Sequence, residues 1–95
     1  AFAAKPDEPA IMDSLGWVEY RRGNLPRALE LLLQAHAAFP DHEVAAHLGE
    51  VLWQLGKTEQ AMAVWRKALK DAPDSPILRE TIQRLVPAAD TTAAE

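Results

Sequence analysis

Residues 15–24 read LGWVEYRRGN, and residues 48–57 read LGEVLWQLGK. The two stretches stand 33 residues apart and share Leu-Gly at the start and Gly near the end. A repeat at a fixed period changes the reading of every other residue, so it comes first. Working outward, the same register pairs Val18 with Val51, Ala28 with Ala61, Leu29 with Met62 and Ala35 with Ala68. It also pairs Pro40-Asp41 with Pro73-Asp74. Ala1, Pro6 and Asp7 extend the series toward the start, at an offset of 34 from Ala35, Pro40 and Asp41. The expectation is a piece of a longer array that begins inside the second half of an earlier repeat.

Turn and cap residues divide each repeat into two helices. Gly23 and Gly56 stand where a helix ends in a left-handed residue, which predicts first helices over roughly 9–22 and 42–55. Asp41 is the expected N-cap of the second of these, and Asn24 and Thr58 are the expected caps of helices over about 25–39 and 58–71. Pro9 and Pro76 suit a first helical turn, and Pro40 and Pro73 stop the helices before them. A last helix over about 75–86 carries Ile77, Leu78, Ile82, Leu85 and Val86 on one side. Its other side carries Arg79, Glu80, Gln83 and Arg84, as suits a solvated cap on a stack. The resulting plan is all-α: 1–8 as the end of a preceding repeat, repeats over 9–41 and 42–74, a capping helix over 75–86, and a disordered tail over 87–95.

Composition excludes several functions. A chain of 95 residues is one domain at most. Its net charge of −4 speaks against nucleic acid, which calls for a basic stripe, and against an anionic membrane surface. No cysteine means no disulfide, thiolate metal site or cysteine nucleophile. No apolar run approaches the ~18 residues of a membrane span. His36, His42 and His47 lack the i, i+4 spacing of a metal pair, so no cofactor or metal is expected. Ser14 has no elbow motif, and no Gly-rich phosphate loop is present. Catalysis is not expected.

These residues resemble the tetratricopeptide repeat (TPR), a 34-residue helix–turn–helix of the form W-x2-L-G-x2-Y … A-x3-F … P. The first repeat supplies Met12, Leu15, Gly16, Glu19, Ala28, Leu32, Ala35 and Pro40. The second supplies Ala45, Leu48, Gly49, Leu52, Ala61, Trp65, Ala68 and Pro73. It departs from the pattern at Met12 and Ala45 for Trp, at Glu19 for an aromatic, and by one residue near Asp41-His42. The resemblance implies a helical solenoid in which Gly16, Gly49, Ala28 and Ala61 allow close approach. Leu15, Leu32, Leu48, Leu52 and Trp65 are expected to fill the space between. The wording is also similar to the C-terminal repeats of bacterial outer-membrane TPR lipoproteins that serve as adaptors for periplasmic proteases. That likeness implies an outer-membrane or periplasmic setting for the full-length protein, and a cytoplasmic one stays open.

In TPR arrays the first helices line a concave groove that grips partner segments. The matching positions are Ala10, Asp13, Trp17, Tyr20 and Arg21, then Glu43, Ala46, Glu50, Trp53 and Gln54. Helix geometry agrees independently, since a step of about 100° per residue gathers Asp13, Trp17, Tyr20 and Arg21 on one arc. The expected partner-binding residues are Asp13, Trp17, Tyr20, Arg21, Glu50, Trp53 and Gln54. For Trp53, packing within the stack is an equal reading. One TPR subclass holds a terminal carboxylate with Lys and Asn at these positions. Asp13 and Glu50 would repel one, so an apolar or basic segment is the expected ligand. Glu19 should reach solvent near the helix end, toward Arg22, or be a paired charge. The partner expected is a protein or peptide. Self-assembly through exposed repeat ends and a TPR appendage of an enzyme are the alternatives.

Overall fold

The computed structural model describes residues 9–86. The readings of 1–8 as the end of a repeat and of 87–95 as a tail lie outside the described residues. Five helices are seen among them: α1 (Pro9–Arg21), α2 (Leu25–Ala38), α3 (His42–Gln54), α4 (Thr58–Asp71) and α5 (Pro76–Leu85). Each boundary falls within one residue of the expected one. Gly23 and Gly56 take φ of +87° and +85°. After each, a six-residue turn closes, with Asn24 N–H donating to the Glu19 carbonyl at 2.8 Å and Lys57 N–H to Leu52 at 2.9 Å. A residue with a Cβ would be strained at either glycine.

The N-caps divide by residue. Asp41 accepts from the Glu43 N–H at 3.1 Å, and Ser75 accepts from Leu78 at 3.4 Å. Asn24 holds the cap position of α2 but makes no side-chain cap bond. Its Nδ2 donates instead to Glu19 Oε1 at 3.1 Å. Thr58 is the first residue of α4, and Lys57 takes the cap position without a capping bond. The Asn24 and Thr58 readings are therefore corrected. Glu19 is also settled: it is half-buried, and its partner is Asn24 rather than Arg22.

The helices pair in sequence, α1 on α2 and α3 on α4, and α3 packs back on α2 while α5 packs chiefly on α3. Ala28, Leu32, Leu48, Val51, Leu52, Ala61, Trp65 and Leu78 form one core. Met12, Ala35 and Val44 form a smaller one. A Cβ on Gly49 would run into the indole of Trp65, and one on Gly16 would sit 2.8 Å from Leu32 Cγ. Trp65 is fully buried, as expected, and its Nε1 has no acceptor among the described residues. Leu15 does not fill the space between helices, as it is half exposed. Nothing among the described residues plays for α1 the part that α2 plays for α3. On α5 the expected polar side is exposed and Leu78 is buried, with Thr81 buried beside it.

Candidate functional site

The first helix of each pair, α1 and α3, and the capping helix α5 lie in one row. Side chains from all three join along it. Asp13 on α1 accepts from His47 Nδ1 on α3 at 2.8 Å. The His47 ring stacks on Trp17, with centroids 4.1 Å apart and planes 23° apart. Trp17 in turn stacks on Tyr20 at 4.8 Å. The Tyr20 hydroxyl donates to Glu50 Oε2 at 2.7 Å. Glu50 also receives both arms of Arg84 from α5, at 2.7 Å on Oε1 and 3.2 Å on Oε2. The result is a continuous seam, three stacked rings between Asp13 at one end and the Glu50–Arg84 pair at the other, that ties α1 to α3 and α3 to α5.

Two carboxylate contacts along the seam share a spacing. Asp13 to His47 and Glu50 to Arg84 are each 34 residues apart. That is one residue more than the 33-residue repeat, so each carboxylate meets a side chain at the adjoining level of the next helix in the row. The Glu50 side chain is 6% exposed, while that of Arg84 is 53% exposed. A buried carboxylate is costly alone and is held here by three charge-assisted bonds, two of them from the Arg84 guanidinium. The Glu50 hydrogen bond, with partial burial working against it, holds Arg84 above the ordinary guanidinium range. Burial first, and then the bond to Glu50, push the Tyr20 phenol up to about 12.

Four of the expected site residues thus come together: Asp13, Trp17, Tyr20 and Glu50. Gln54 lies beside the Tyr20 hydroxyl and is exposed, as is Arg21 on the next position of α1. Trp53 stands apart. It stacks on the core Trp65 at 5.8 Å and lines a hollow of about 330 Å³ with Thr58, Glu59, Met62 and Arg66. Glu50 and Ala46 are buried rather than open to a groove. His47 and Arg84 belong to the seam, although neither was singled out for it. The 34-residue spacing to an acid was the available signal. Because Arg84 neutralises Glu50, the argument that Glu50 repels an acidic ligand no longer applies. His42 begins α3 and is hydrogen-bonded through Nδ1 to Ser75 Oγ at 2.8 Å, which fastens the start of α3 to that of α5. No helix among the described residues is long and apolar enough to cross a membrane.

Stacked helix pairs with a tied inner row define a helical-repeat solenoid. The chain belongs to the tetratricopeptide repeat family, whose sequence profile matches residues 1–43 and 14–76. It is also similar to a TPR repeat-containing protein of Pseudomonas aeruginosa, with 54% identity over 85 residues. The match covers 90% of this chain and 14% of that relative, so the chain corresponds to a small part of the longer protein. TPR repeats generally mediate protein–protein interaction and are typically non-catalytic.

Proposed function

We propose that this chain is an interaction scaffold whose α1–α3–α5 face receives a peptide or a segment of a partner protein. In a longer array it would work as one part of an adaptor. The observation that supports this reading is the seam. It fixes Trp17 and Tyr20 by stacking and hydrogen bonding, so these rings lose little further freedom when a partner binds. Around them Arg21 and Gln54 are exposed, with the outer edge of Arg84. Half-buried aromatic rings beside arginine are the residue types that carry binding energy at interfaces.

Arg21→Glu combined with Gln54→Ala tests it, because both side chains are exposed and alanine adds no second carboxylate beside Glu50. A partner taken up by this face should lose at least about tenfold in affinity, or about 1.4 kcal/mol. Lys67→Glu on the exposed side of α4 should leave binding unchanged. Binding that survives the first pair and fails with Lys67→Glu would place the partner on the other side of the molecule.

A further inference from the structure

The outward side of α4 carries Arg66, Lys67 and Lys70, all exposed, within five residues. With Ala63 and Asp71 they line an open hollow. None of the three cations makes an ion pair among the described residues, whereas Arg27 and Arg84 each meet a glutamate. The repeat frame does not call for them, since the positions 33 residues earlier on α2 hold Leu33, Gln34 and Ala37. The helix dipole accounts for Lys70, in the last turn of α4, but its pull has faded at Arg66 a turn earlier. The surface of a chain with net charge −4 thus holds a local cluster of positive charge that no ion pair among the described residues uses.

The openness of this face does not depend on neighbouring repeats. The buried residues of α4 are Ala61 and Trp65, and a step of about 100° per residue sets the three cations on the opposite half of the helix. In a solenoid each unit meets its neighbours along the stacking direction, so a longer array leaves this outward side uncovered. The cations span about 6 Å along the helix axis, which matches carboxylates two residues apart on an extended segment. A long polyanion or an anionic bilayer would also meet the acidic remainder of the chain and be repelled there. We propose that the outward face of α4 binds a short acidic segment of a partner protein through Arg66, Lys67 and Lys70. It is a different surface from the α1–α3–α5 row, so either reading can fail alone.

An NMR titration of the 15N-labelled 95-residue chain with a short peptide of glutamate and serine, at low salt, tests the proposal. The expected result is saturable amide shifts centred on residues 63–71, fading as salt is raised. Arg66→Gln with Lys70→Gln should weaken binding at least tenfold while helix content is kept, and Lys67→Arg should preserve it. A peptide with glutamine in place of glutamate should leave the spectrum of the unaltered chain unchanged, which decides the matter even if the double variant folds poorly. Arg21→Glu with Gln54→Ala, on the other surface, should bind the acidic peptide as the unaltered chain does. Shifts with no preference for α4, equal binding of the glutamine peptide, or an affinity untouched by Arg66→Gln with Lys70→Gln would overturn the proposal. So would loss of binding in the Arg21 and Gln54 variant, which would move the peptide to the α1–α3–α5 row. Displacement of the peptide by vesicles of phosphatidylglycerol and phosphatidylcholine would overturn it too, and assign the face to a membrane surface.

Discussion

The two repeats present one frame with two outcomes. In the second, Leu48 and Val51 are sealed and Gly49 lies against the Trp65 indole. In the first, Leu15 and Val18 face solvent, and Gly16 lies against Leu31 and Leu32. Nothing in the local sequence of α1 marks it as the looser helix. The difference comes from neighbours: α3 is flanked by α2, α4 and α5, and α1 chiefly by α2. In a solenoid, stability resides in the contacts between units, so equivalent residues need not carry equal energy.

Equivalent substitutions should therefore give unequal costs. The largest gap is expected for leucine. Leu48→Ala should cost about 3 kcal/mol in denaturant unfolding, from lost burial and a residual cavity. Leu15→Ala should cost under about 1 kcal/mol at concentrations where the chain is monomeric, because little burial is lost. Equal costs would break the comparison. The glycines come next. Gly49→Ala forces the buried Trp65 ring to shift, at about 3 kcal/mol. Gly16→Ala should cost about 1 kcal/mol, since among the described residues α1 packs chiefly on α2 and is freer to shift.

The seam should show a smaller gradient of the same kind. Arg84→Ala strands the Glu50 carboxylate and should cost about 2 kcal/mol, less than a fully buried pair because Arg84 is half exposed. Glu50→Gln in the same background should recover part of that loss, and a double-mutant cycle measures the coupling.

The smallest effects are in pH dependence. The Tyr20 phenol titrates near 12 in the folded chain and near 10 when unfolded. Its contribution is intact below pH 10. As the pH rises, the unfolded state ionises first, and the contribution is lost between pH 10 and about 12. Tyr20→Phe should have lower stability at neutral pH and a flatter profile in that window. His36 on α2 runs the other way. Burial, and then Lys67, lower its pKa, so its contribution is present above the ordinary histidine range and lost as the pH falls below it. In the second repeat Leu69 replaces it, and His36→Leu should flatten stability on the acid side.

Much of the fold was legible because it depends on short-range chemistry. Gly23 and Gly56 end helices for reasons of backbone sterics, and Asp41 and Ser75 begin them through one hydrogen bond each. Asn24 misled because its side chain had two uses, and the half-buried Glu19 competed successfully for its amide. Exposed repeat ends were expected, yet Leu15 was placed between the helices, since the sequence pattern records what a residue suits and not which neighbour arrives. The site was half legible. Helix geometry put Asp13, Trp17 and Tyr20 on one arc, and they do meet. It could not reveal that His47 and Arg84 reach across from the next helix. Trp53 illustrates the same limit, for a half-buried tryptophan at a groove position can turn toward the core, and this one stacks on Trp65.

Native-state hydrogen exchange at a concentration where the chain is monomeric tests neighbour cover most directly. If cover sets stability, the central amides of α3 and α4 exchange only through global unfolding. Those of α1 exchange through a smaller opening, with protection at least about tenfold lower. Equal protection of α1 and α3 in the monomer would contradict the account.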